Sequence, residues 1–142
     1  MALFANDNVL VPIDFSDEAN QAVDRALAFF GATTKIHVIH VLSPLESTHP
    51  GMVWQTVDKE TRTDHINALF QEKFSDEAYQ KIKFSVVTGS PSSEIIDYAT
   101  SNSIDLIVIP SHGHTGLSRF LLGSVAERVV RFAPCPVLVL RR

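Results

Sequence analysis

A loop rich in glycine and hydroxyl side chains, from Pro110 to Ser124, holds the residue types in this sequence that could do chemistry. It follows a short apolar run at 106–109 and leads into a helical segment that starts near Val125. A strand, a glycine-rich loop and a helix N-terminus together can bind phosphate. Glycine lets the backbone approach the anion, and unpaired N–H groups of the first helical turn face it. The alternative is that the glycines only form turns, but their number and the hydroxyls favour phosphate binding. These residues are Gly113, Gly116, Gly123, Ser111, Thr115, Ser118 and Ser124.

The loop matches neither of the two common phosphate-binding motifs. A Walker A loop needs Gly-x-x-x-x-Gly-Lys followed by Ser or Thr, and no lysine occurs between residues 110 and 142. The dinucleotide motif Gly-x-Gly-x-x-Gly has a different glycine spacing and follows an early strand, whereas this loop comes late in the chain. Its position after the fourth apolar run also disfavours an FMN protein of the flavodoxin type.

Few other side chains could take part in chemistry. Asp14 ends the first apolar run, where a carboxylate either caps the next turn or accepts a hydrogen bond from a ligand, and the sequence leaves both open. His112 and His114 form a His-x-His pair without a third ligand, so we expect no metal site. We expect His37 and His40 to be packed in the second strand with local hydrogen bonds. No residue set indicates acid–base or covalent catalysis.

The composition is that of a soluble protein with one domain. A chain of 142 residues suffices for one core but not for two, so we predict a single domain over residues 1–142. The formal net charge of -4, without a run of Lys or Arg, argues against a nucleic-acid or membrane-surface partner. No apolar run could span a bilayer, and the N-terminus lacks the features of a signal peptide. The single cysteine, Cys135, cannot form an internal disulfide, so we expect a cytoplasmic protein in which Cys135 is packed rather than reactive.

Five short apolar runs alternate with segments of helical periodicity. Several runs are apolar at consecutive positions, which is typical of strands covered on both faces, as in a parallel sheet. Ser16 is the predicted N-cap of the first helix, and Ser90 with Pro91 opens the third. Ser124 and Glu127 have the spacing of a capping box for the fourth. The predicted strands cover residues 9–13, 36–42, 82–87, 106–109 and 137–140, and the first two helices cover 16–30 and 56–74.

This order of elements predicts an α/β fold, a single open, doubly wound parallel sheet of five strands with helices on both faces. In such sheets ligands bind beyond the carboxyl ends of the strands, at the point where the strand order reverses. The glycine-rich loop follows the fourth strand, and the first strand leads into Pro12-Ile13-Asp14-Phe15-Ser16. The two loops would form one site if strands one and four were neighbours.

Seven short segments along the chain carry a family resemblance. They are Val11-Pro12-Ile13-Asp14-Phe15-Ser16, His40-Val41, Gly89-x-Pro91-x-x-Glu94-Ile95, Asp105-Leu106-Ile107-Val108, Ser111-His112-Gly113, Gly123-Ser124-Val125 and Pro134-Cys135-Pro136-Val137-Leu138-Val139. In this order they resemble the universal stress protein family over almost the whole chain. The resemblance implies the strand order 3-2-1-4-5, in which strands one and four are neighbours.

Members of this family that bind ATP carry Gly-x-x-Gly, nine further residues, and then Gly-Ser or Gly-Thr. The second part of this motif is intact at Gly113 and Gly123-Ser124, but Pro110 stands in place of the first glycine. Ala126 occupies a position where such members often have Thr or Ser, so one hydroxyl is missing. The resemblance therefore implies the ATP-binding subgroup with two departures.

The resemblance also assigns roles to residues near an adenine nucleotide. Residues from the first two strands would hold the base, the end of the fourth strand would lie along the ribose, and the glycine motif would surround the phosphates. In that arrangement Asp14 and Val41 hold the adenine, Ile109 and Pro110 lie along the ribose, Gly113, Gly123, Ser124 and Val125 surround the phosphates, and Pro12 completes the candidate set.

The function implied by the resemblance is that of a cytoplasmic, homodimeric stress-response protein that binds ATP, with or without Mg²⁺, and is not an efficient enzyme. We expect the dimer to form through the last strand, from Pro136 to Leu140, because an uncovered terminal strand exposes unpaired backbone groups. Two alternatives stay open. Pro110 favours a nucleotide-free interaction protein of the same fold, whereas the missing lysine disfavours a slow ATPase or phosphotransferase. Because Pro110 lacks an N–H, we expect weakened ATP binding, with donors left at Gly113, Gly123 and Ser124.

Overall fold

Strands and helices alternate along the chain. The computed structural model describes residues 7–30, 34–43, 55–111 and 123–141, and for residues 55–59 it describes only the backbone. The elements are β1 (Asn8–Pro12), α1 (Asp17–Phe30), β2 (Lys35–Leu42), α2 (Gln55–Lys73), a 3₁₀ helix (Glu77–Tyr79), β3 (Lys83–Thr88), α3 (Pro91–Ser101), β4 (Leu106–Pro110), α4 (Ser124–Phe132) and β5 (Val137–Leu140).

The five strands form one parallel sheet of order β3-β2-β1-β4-β5. This finding confirms the predicted fold class and strand order. β1 pairs with β2 from Asn8 to Pro12, and with β4 at Val9 and Leu10. Strands one and four are therefore neighbours, and β3 and β5 form the two edges of the sheet.

Side chains of the central strands are buried on both faces of the sheet, which explains the apolar residues at consecutive positions. On β1, Val9 and Val11 pack in a core with side chains of α1 and α2. Leu10 points to the opposite face and packs in a second core with side chains of α3 and α4. The helices therefore cover both faces, as predicted.

Aromatic side chains hold the long polar helix α2 against the edge strand β3. The ring of Phe70 stacks on that of Phe84 with centroids 4.0 Å apart, and the ring centroids of Phe74 and Phe70 are 4.8 Å apart.

The 3₁₀ helix after α2 was not predicted, and its Tyr79 packs edge-on against Phe74. The Tyr79 hydroxyl donates a hydrogen bond to Oδ1 of Asp24 at 2.6 Å. This bond is the main reason that the pKa of Tyr79 is raised to about 12.

The predicted N-cap of the first helix is confirmed, and that of the fourth helix is wrong. Ser16 Oγ accepts a hydrogen bond from the backbone N–H three residues on, at 3.2 Å. In α4 the N-cap is Gly123, whose backbone is extended (φ -63°, ψ 156°), and Glu127 N–H donates to its carbonyl at 2.9 Å. Ser124 is therefore the first helical residue, and no capping box forms because the helix begins one residue earlier than the spacing suggests.

A buried histidine of β2 is held by hydrogen bonds from two other elements, as predicted. His37 is 3% exposed, and its Nε2–H donates to Oδ1 of Asn8 at 3.1 Å. The Tyr98 hydroxyl donates to Nδ1 at 2.8 Å, because an amide oxygen only accepts and the neutral ring must carry its proton on Nε2. Burial first, and then the charges of Lys35 and Lys83, lower the pKa of His37.

We predict that the free energy of unfolding decreases as pH falls below 6.5, the ordinary pKa of histidine. Below that pH the unfolded chain binds a proton at His37 that the folded protein does not, so stability is lost toward the lower folded-state pKa. The slope that this residue contributes is at most about 1.4 kcal/mol per pH unit. Urea denaturation between about pH 7.5 and about pH 5.5 measures it. His37→Gln, which does not titrate, should flatten the dependence, and equal slopes for both proteins would contradict the prediction.

Candidate functional site

A cavity of about 280 Å³ opens at the carboxyl edge of the sheet, between the ends of β1 and β4. Helix α1, which follows β1, lies on one face of the sheet, and α4, which follows β4, lies on the other, so the two helices leave a gap beyond the strand ends. We call this gap the switch-point cavity. Its lining residues are Pro12, Ile13, Asp14, Ala19, His40, Val41, Pro91, Ile95, Ile109, Pro110, Ser111, Gly123, Ser124, Val125 and Ala126.

Eight of the nine candidate binding residues line the switch-point cavity. The ninth, Gly113, lies outside the described residues, as do His112 and His114. The loop after β1 and the start of α4 therefore meet at one place. The eight are Pro12, Asp14, Val41, Ile109, Pro110, Gly123, Ser124 and Val125.

Asp14 stands at the mouth of the cavity directly after β1. Its Oδ1 accepts a hydrogen bond from the backbone N–H of Ser16 at 2.9 Å, so the carboxylate caps the turn between β1 and α1. The same side chain is exposed and lines the cavity. A carboxylate carries several lone pairs on two oxygens, so capping the turn does not exhaust its capacity to accept. The two interpretations of Asp14 that the sequence left open are therefore compatible.

The turn that carries Asp14 is fastened to β2 by an imidazole. Nδ1 of His40 lies 2.9 Å from the carbonyl oxygen of Ile13, and because a carbonyl only accepts, Nδ1 carries the proton. This confirms the expected local hydrogen bond of His40. The ring of Phe15 packs 5.1 Å from the imidazole, and Phe15 adopts a left-handed backbone with φ 62°. That conformation costs a residue other than glycine about 1–2 kcal/mol, so the surrounding contacts must hold it.

The middle of the cavity is apolar. Val41 contributes from the end of β2, Ile109 from β4, and Ile95 from the first turns of α3. Ile95 and Ile109 are buried and belong to the core between the sheet and the helices α3 and α4. A slot of apolar walls with a few polar groups at its ends suits a flat, largely apolar ring.

Pro110 does not cost the sheet a hydrogen bond to β5, although β4 is a central strand. The N–H groups of Ile107 and Ser111 donate to β5, at the carbonyl oxygens of Pro136 (3.0 Å) and Leu140 (2.9 Å). Successive residues of a strand turn their N–H groups to opposite neighbours, so the nitrogen of Pro110 faces the side of β1. That side opens into the switch-point cavity, because β1 ends at Pro12.

The N-terminus of α4 forms the other end of the cavity. The N–H groups of Ser124, Val125 and Ala126 have no acceptor within the helix, and the N-cap Gly123 has no side chain to bind them. Gly123 N–H donates to the carbonyl oxygen of Ser111 at 2.7 Å. The donor that the sequence assigns to Gly123 is therefore used by the fold, whereas the N–H groups of Ser124, Val125 and Ala126 point out of the N-terminal end of the helix.

Seven lining residues were not among the nine candidates that the resemblance assigned, although Ser111 belongs to the glycine-rich loop. Ser111 and Pro91 follow the carboxyl ends of β4 and β3, so the rule that predicted the other loops could have found them. Ala19, Ile95 and Ala126 lie on the buried faces of helices, where helical periodicity marks them as core and does not distinguish core from cavity wall. The seven are Ile13, Ala19, His40, Pro91, Ile95, Ser111 and Ala126.

Two other kinds of site are not found in the part of the chain that the structure describes. No group of three or more His, Cys, Asp or Glu side chains could hold a metal ion there. No helix within the same ranges is long and apolar enough to cross a membrane. Among its described residues, the switch-point cavity thus offers an apolar slot, a carboxylate and a helix N-terminus. Such a combination fits a ring with an amino group joined to an anion.

Known proteins with similar sequences point to one family. Residues 5–141 match the universal stress protein family. The chain is 35% identical over 139 residues to universal stress protein MJ0531 of Methanocaldococcus jannaschii, a match that covers 94% of this chain and 81% of that protein. It is 28% identical over 152 residues to universal stress protein MJ0577 of the same organism, covering 94% of each.

Solved structures show the same likeness in three dimensions. The structure of MJ0577 superposes with a TM-score of 0.81 at 30% identity and covers 96% of each chain. A universal stress protein in complex with cAMP superposes with a TM-score of 0.70 at 26% identity, covering 96% of this chain and 98% of that chain.

The thiol of Cys135 lies away from the cavity, at the amino end of β5, and we predict that it reacts slowly. Cys135 is half-buried against the core of α3 and α4. Burial, with a smaller contribution from the charge of Asp105, raises the pKa of the thiol, and the thiolate is the reactive form. Alkylation by iodoacetamide at neutral pH should be slower than that of an unstructured cysteine peptide. Unfolding in urea should remove the difference, and equal rates for the native protein and the peptide would contradict the prediction.

Proposed function

Since this chain belongs to the universal stress protein family, we propose that it binds ATP or a related adenine nucleotide in the switch-point cavity. It acts as a stress-response protein by binding rather than by efficient catalysis. The observation that carries the proposal is the convergence of eight candidate residues, from separate strands and one helix N-terminus, on a single cavity.

The adenine ring is proposed to occupy the apolar middle of the cavity beside Asp14. Val41 and Ile109 supply the apolar walls that the faces of the ring contact. The carboxylate of Asp14 accepts a hydrogen bond from the 6-amino group of the base. A group that only accepts at this point favours adenine over guanine, which presents a carbonyl oxygen at the same position of the ring.

The phosphates are proposed to lie at the N-terminus of α4. Ser124 offers its backbone N–H and its hydroxyl, and Val125 offers its N–H, where the positive end of the helix dipole also attracts an anion. Mg²⁺ bound with the nucleotide would coordinate phosphate oxygens and water.

A relative of known structure supports the ligand class. The universal stress protein solved in complex with cAMP shares the fold of this chain and 26% of its sequence, and cAMP is an adenine nucleotide.

The size of the cavity also suits a small molecule. Its volume of about 280 Å³ lies near the lower end of the range for small-molecule sites.

Pro110 is the observation that favours the alternative, a nucleotide-free interaction protein of the same fold. Its nitrogen faces the cavity and cannot donate a hydrogen bond to a ribose or phosphate oxygen. Hydrolysis is the less favoured alternative, because no lysine lines the cavity within the described ranges and Nδ1 of His40 is bonded to the backbone. A direct binding measurement separates these possibilities.

We predict that the wild-type protein binds ATP and that Gly123→Val abolishes binding. The backbone of Gly123 (φ -63°, ψ 156°) is open to any residue, so the variant should keep α4 while its side chain fills the phosphate end. Isothermal titration calorimetry with ATP and Mg²⁺ measures the difference. Ala133→Val is the matched control, because Ala133 flanks the other end of α4 with a similar backbone (φ -63°, ψ 146°).

Pro110→Gly is expected to tighten ATP binding about two- to twelvefold, by restoring one hydrogen-bond donor beside the cavity. Absence of heat with ATP for the wild type and for Pro110→Gly alike would falsify the nucleotide proposal. The interaction protein would then take its place. Binding that survives Gly123→Val would instead move the phosphates away from the N-terminus of α4.

We further propose that the protein is cytoplasmic and that two copies pair through β5. Among the described residues, β5 is bonded to β4 on one side only, so within these ranges its other side presents unpaired backbone groups. Leu138 on this strand is 38% exposed. Pairing with the same strand of a second copy, related by a two-fold axis, covers the backbone and the apolar side chain together.

Leu138→Lys is predicted to release monomers, because the substitution places like charges in a symmetric interface. Size-exclusion chromatography with light scattering measures the mass of the wild type and the variant. Phe29→Lys is the control, since Phe29 is a more exposed apolar residue (69%) on α1, away from β5. A wild-type protein that is already monomeric at micromolar concentration would overturn this proposal.

A further inference from the structure

We propose that His40 is a positioning residue that holds Asp14 in place to recognise the 6-amino group of adenine, and that it thereby sets the base selectivity of the switch-point cavity. The inference rests on the proposed function and names a determinant of its specificity. It is carried by a set of contacts that fix Asp14 from both sides.

The first contact holds the peptide group in front of Asp14. His40 Nδ1–H donates to the carbonyl oxygen of Ile13 at 2.9 Å, and this carbonyl belongs to the peptide that joins Ile13 to Asp14. Ile13 N–H donates to the carbonyl oxygen of Ile39 at 2.8 Å, so β2 holds this residue at both of its backbone groups. Fixing the plane of that peptide restricts φ of Asp14, which sets the direction in which the Asp14 side chain leaves the backbone.

The second contact holds the carboxylate itself. Asp14 Oδ1 accepts a hydrogen bond from Ser16 N–H at 2.9 Å, two residues along the chain. This bond orients the carboxylate only while the backbone between the two residues keeps its shape. The position of the carboxylate in the cavity therefore depends on the conformation of Phe15.

The backbone conformation of Phe15 has to be held by surrounding contacts. Its φ of 62° lies in the left-handed region, which a residue other than glycine keeps only when its surroundings determine it. The ring of Phe15 packs on the imidazole of His40, with centroids 5.1 Å apart and planes inclined by 52°. One side chain of β2 thus binds the peptide before Asp14 and packs on the residue after it.

His40 also lines the cavity, and this decides what its loss would do. Ile13 is 5% exposed, so its carbonyl needs a partner. Beside an open cavity water can become that partner, and the fold then survives without the imidazole. A water molecule does not fix the peptide as a side chain of β2 does, so the carboxylate loses its set position. The expected effect is on base recognition and not on phosphate binding.

The test is a comparison of two ligands that differ only in the 6-amino group, ATP and purine riboside triphosphate. Calorimetry gives the affinity of the wild type, His40→Phe and His40→Asn for each. Phe keeps an aromatic ring against Phe15 and removes the donor. Asn carries an N–H donor on its γ carbon, as the imidazole does at Nδ1, and so restores the bond to Ile13.

We expect His40→Phe to weaken ATP binding about tenfold and to leave the binding of purine riboside triphosphate unchanged. His40→Asn should keep the wild-type preference for ATP. Should His40→Phe fail to fold by circular dichroism, His40→Gln takes its place, because the amide nitrogen of Gln lies one bond further out and misses the carbonyl of Ile13.

Five results would overturn the inference. A preference for ATP that is unchanged in His40→Phe shows that Asp14 does not need the imidazole. Equal loss for both ligands, or equal loss in His40→Asn and His40→Phe, shows a general structural role. Equal affinity of the wild type for the two ligands removes the amino-group contact and leaves nucleotide binding standing, whereas no binding of either ligand by the wild type overturns the proposed function as well.

Discussion

β1 is hydrogen-bonded to β2 along its whole length and to β4 near its start, and the side chains of Val9, Leu10 and Val11 have no exposure to solvent. A strand in this place must be apolar on both faces, because a polar group there would be buried without water. Polar side chains can begin only where the strand ends. Since the helices that follow β1 and β4 lie on opposite faces, that end is also where a gap opens. Burial of the central strand thus forces the candidate site to the carboxyl edge.

At this edge, the described residues that follow β1 and β4 are each fastened to a neighbouring strand by hydrogen bonds to their backbones. His40 of β2 holds the loop after β1 at Ile13. At the other side, Ser111 donates its N–H to Leu140 of β5 and accepts a hydrogen bond from Gly123, so one residue joins β4, β5 and the start of α4. The groups that face the cavity therefore depend on the sheet for their positions. A site supported in this way is more rigid than a site on unsupported loops.

The fold could be predicted from the sequence because its signals are local. The consecutive apolar residues of β1, β2 and β4 reflect burial on both faces, and their alternation with helices leaves few topologies. The N-cap of α4 could not be predicted, because Gly123 is fixed by a hydrogen bond to Ser111, more than ten residues earlier. The position of His40 is likewise set by pairing of β1 with β2. Family resemblance assigned Asp14 and Val41 to the adenine, and nothing in the spacing of the chain shows that an imidazole supports the turn that carries Asp14.

Two glycines differ in whether the fold itself requires them. Gly89 has φ 154°, a conformation that residues with a side chain rarely adopt, so the backbone itself favours glycine, and a Cβ there would also collide with the side chain of Glu94. Gly123 has φ -63° and ψ 156°, a conformation that any residue adopts. The sheet does not require a particular residue at Pro110 either, because the nitrogen of Pro110 faces the cavity and not the hydrogen bonds to β5. The fold accounts for Gly89, and it leaves Gly123 to be explained by what approaches the N-terminus of α4.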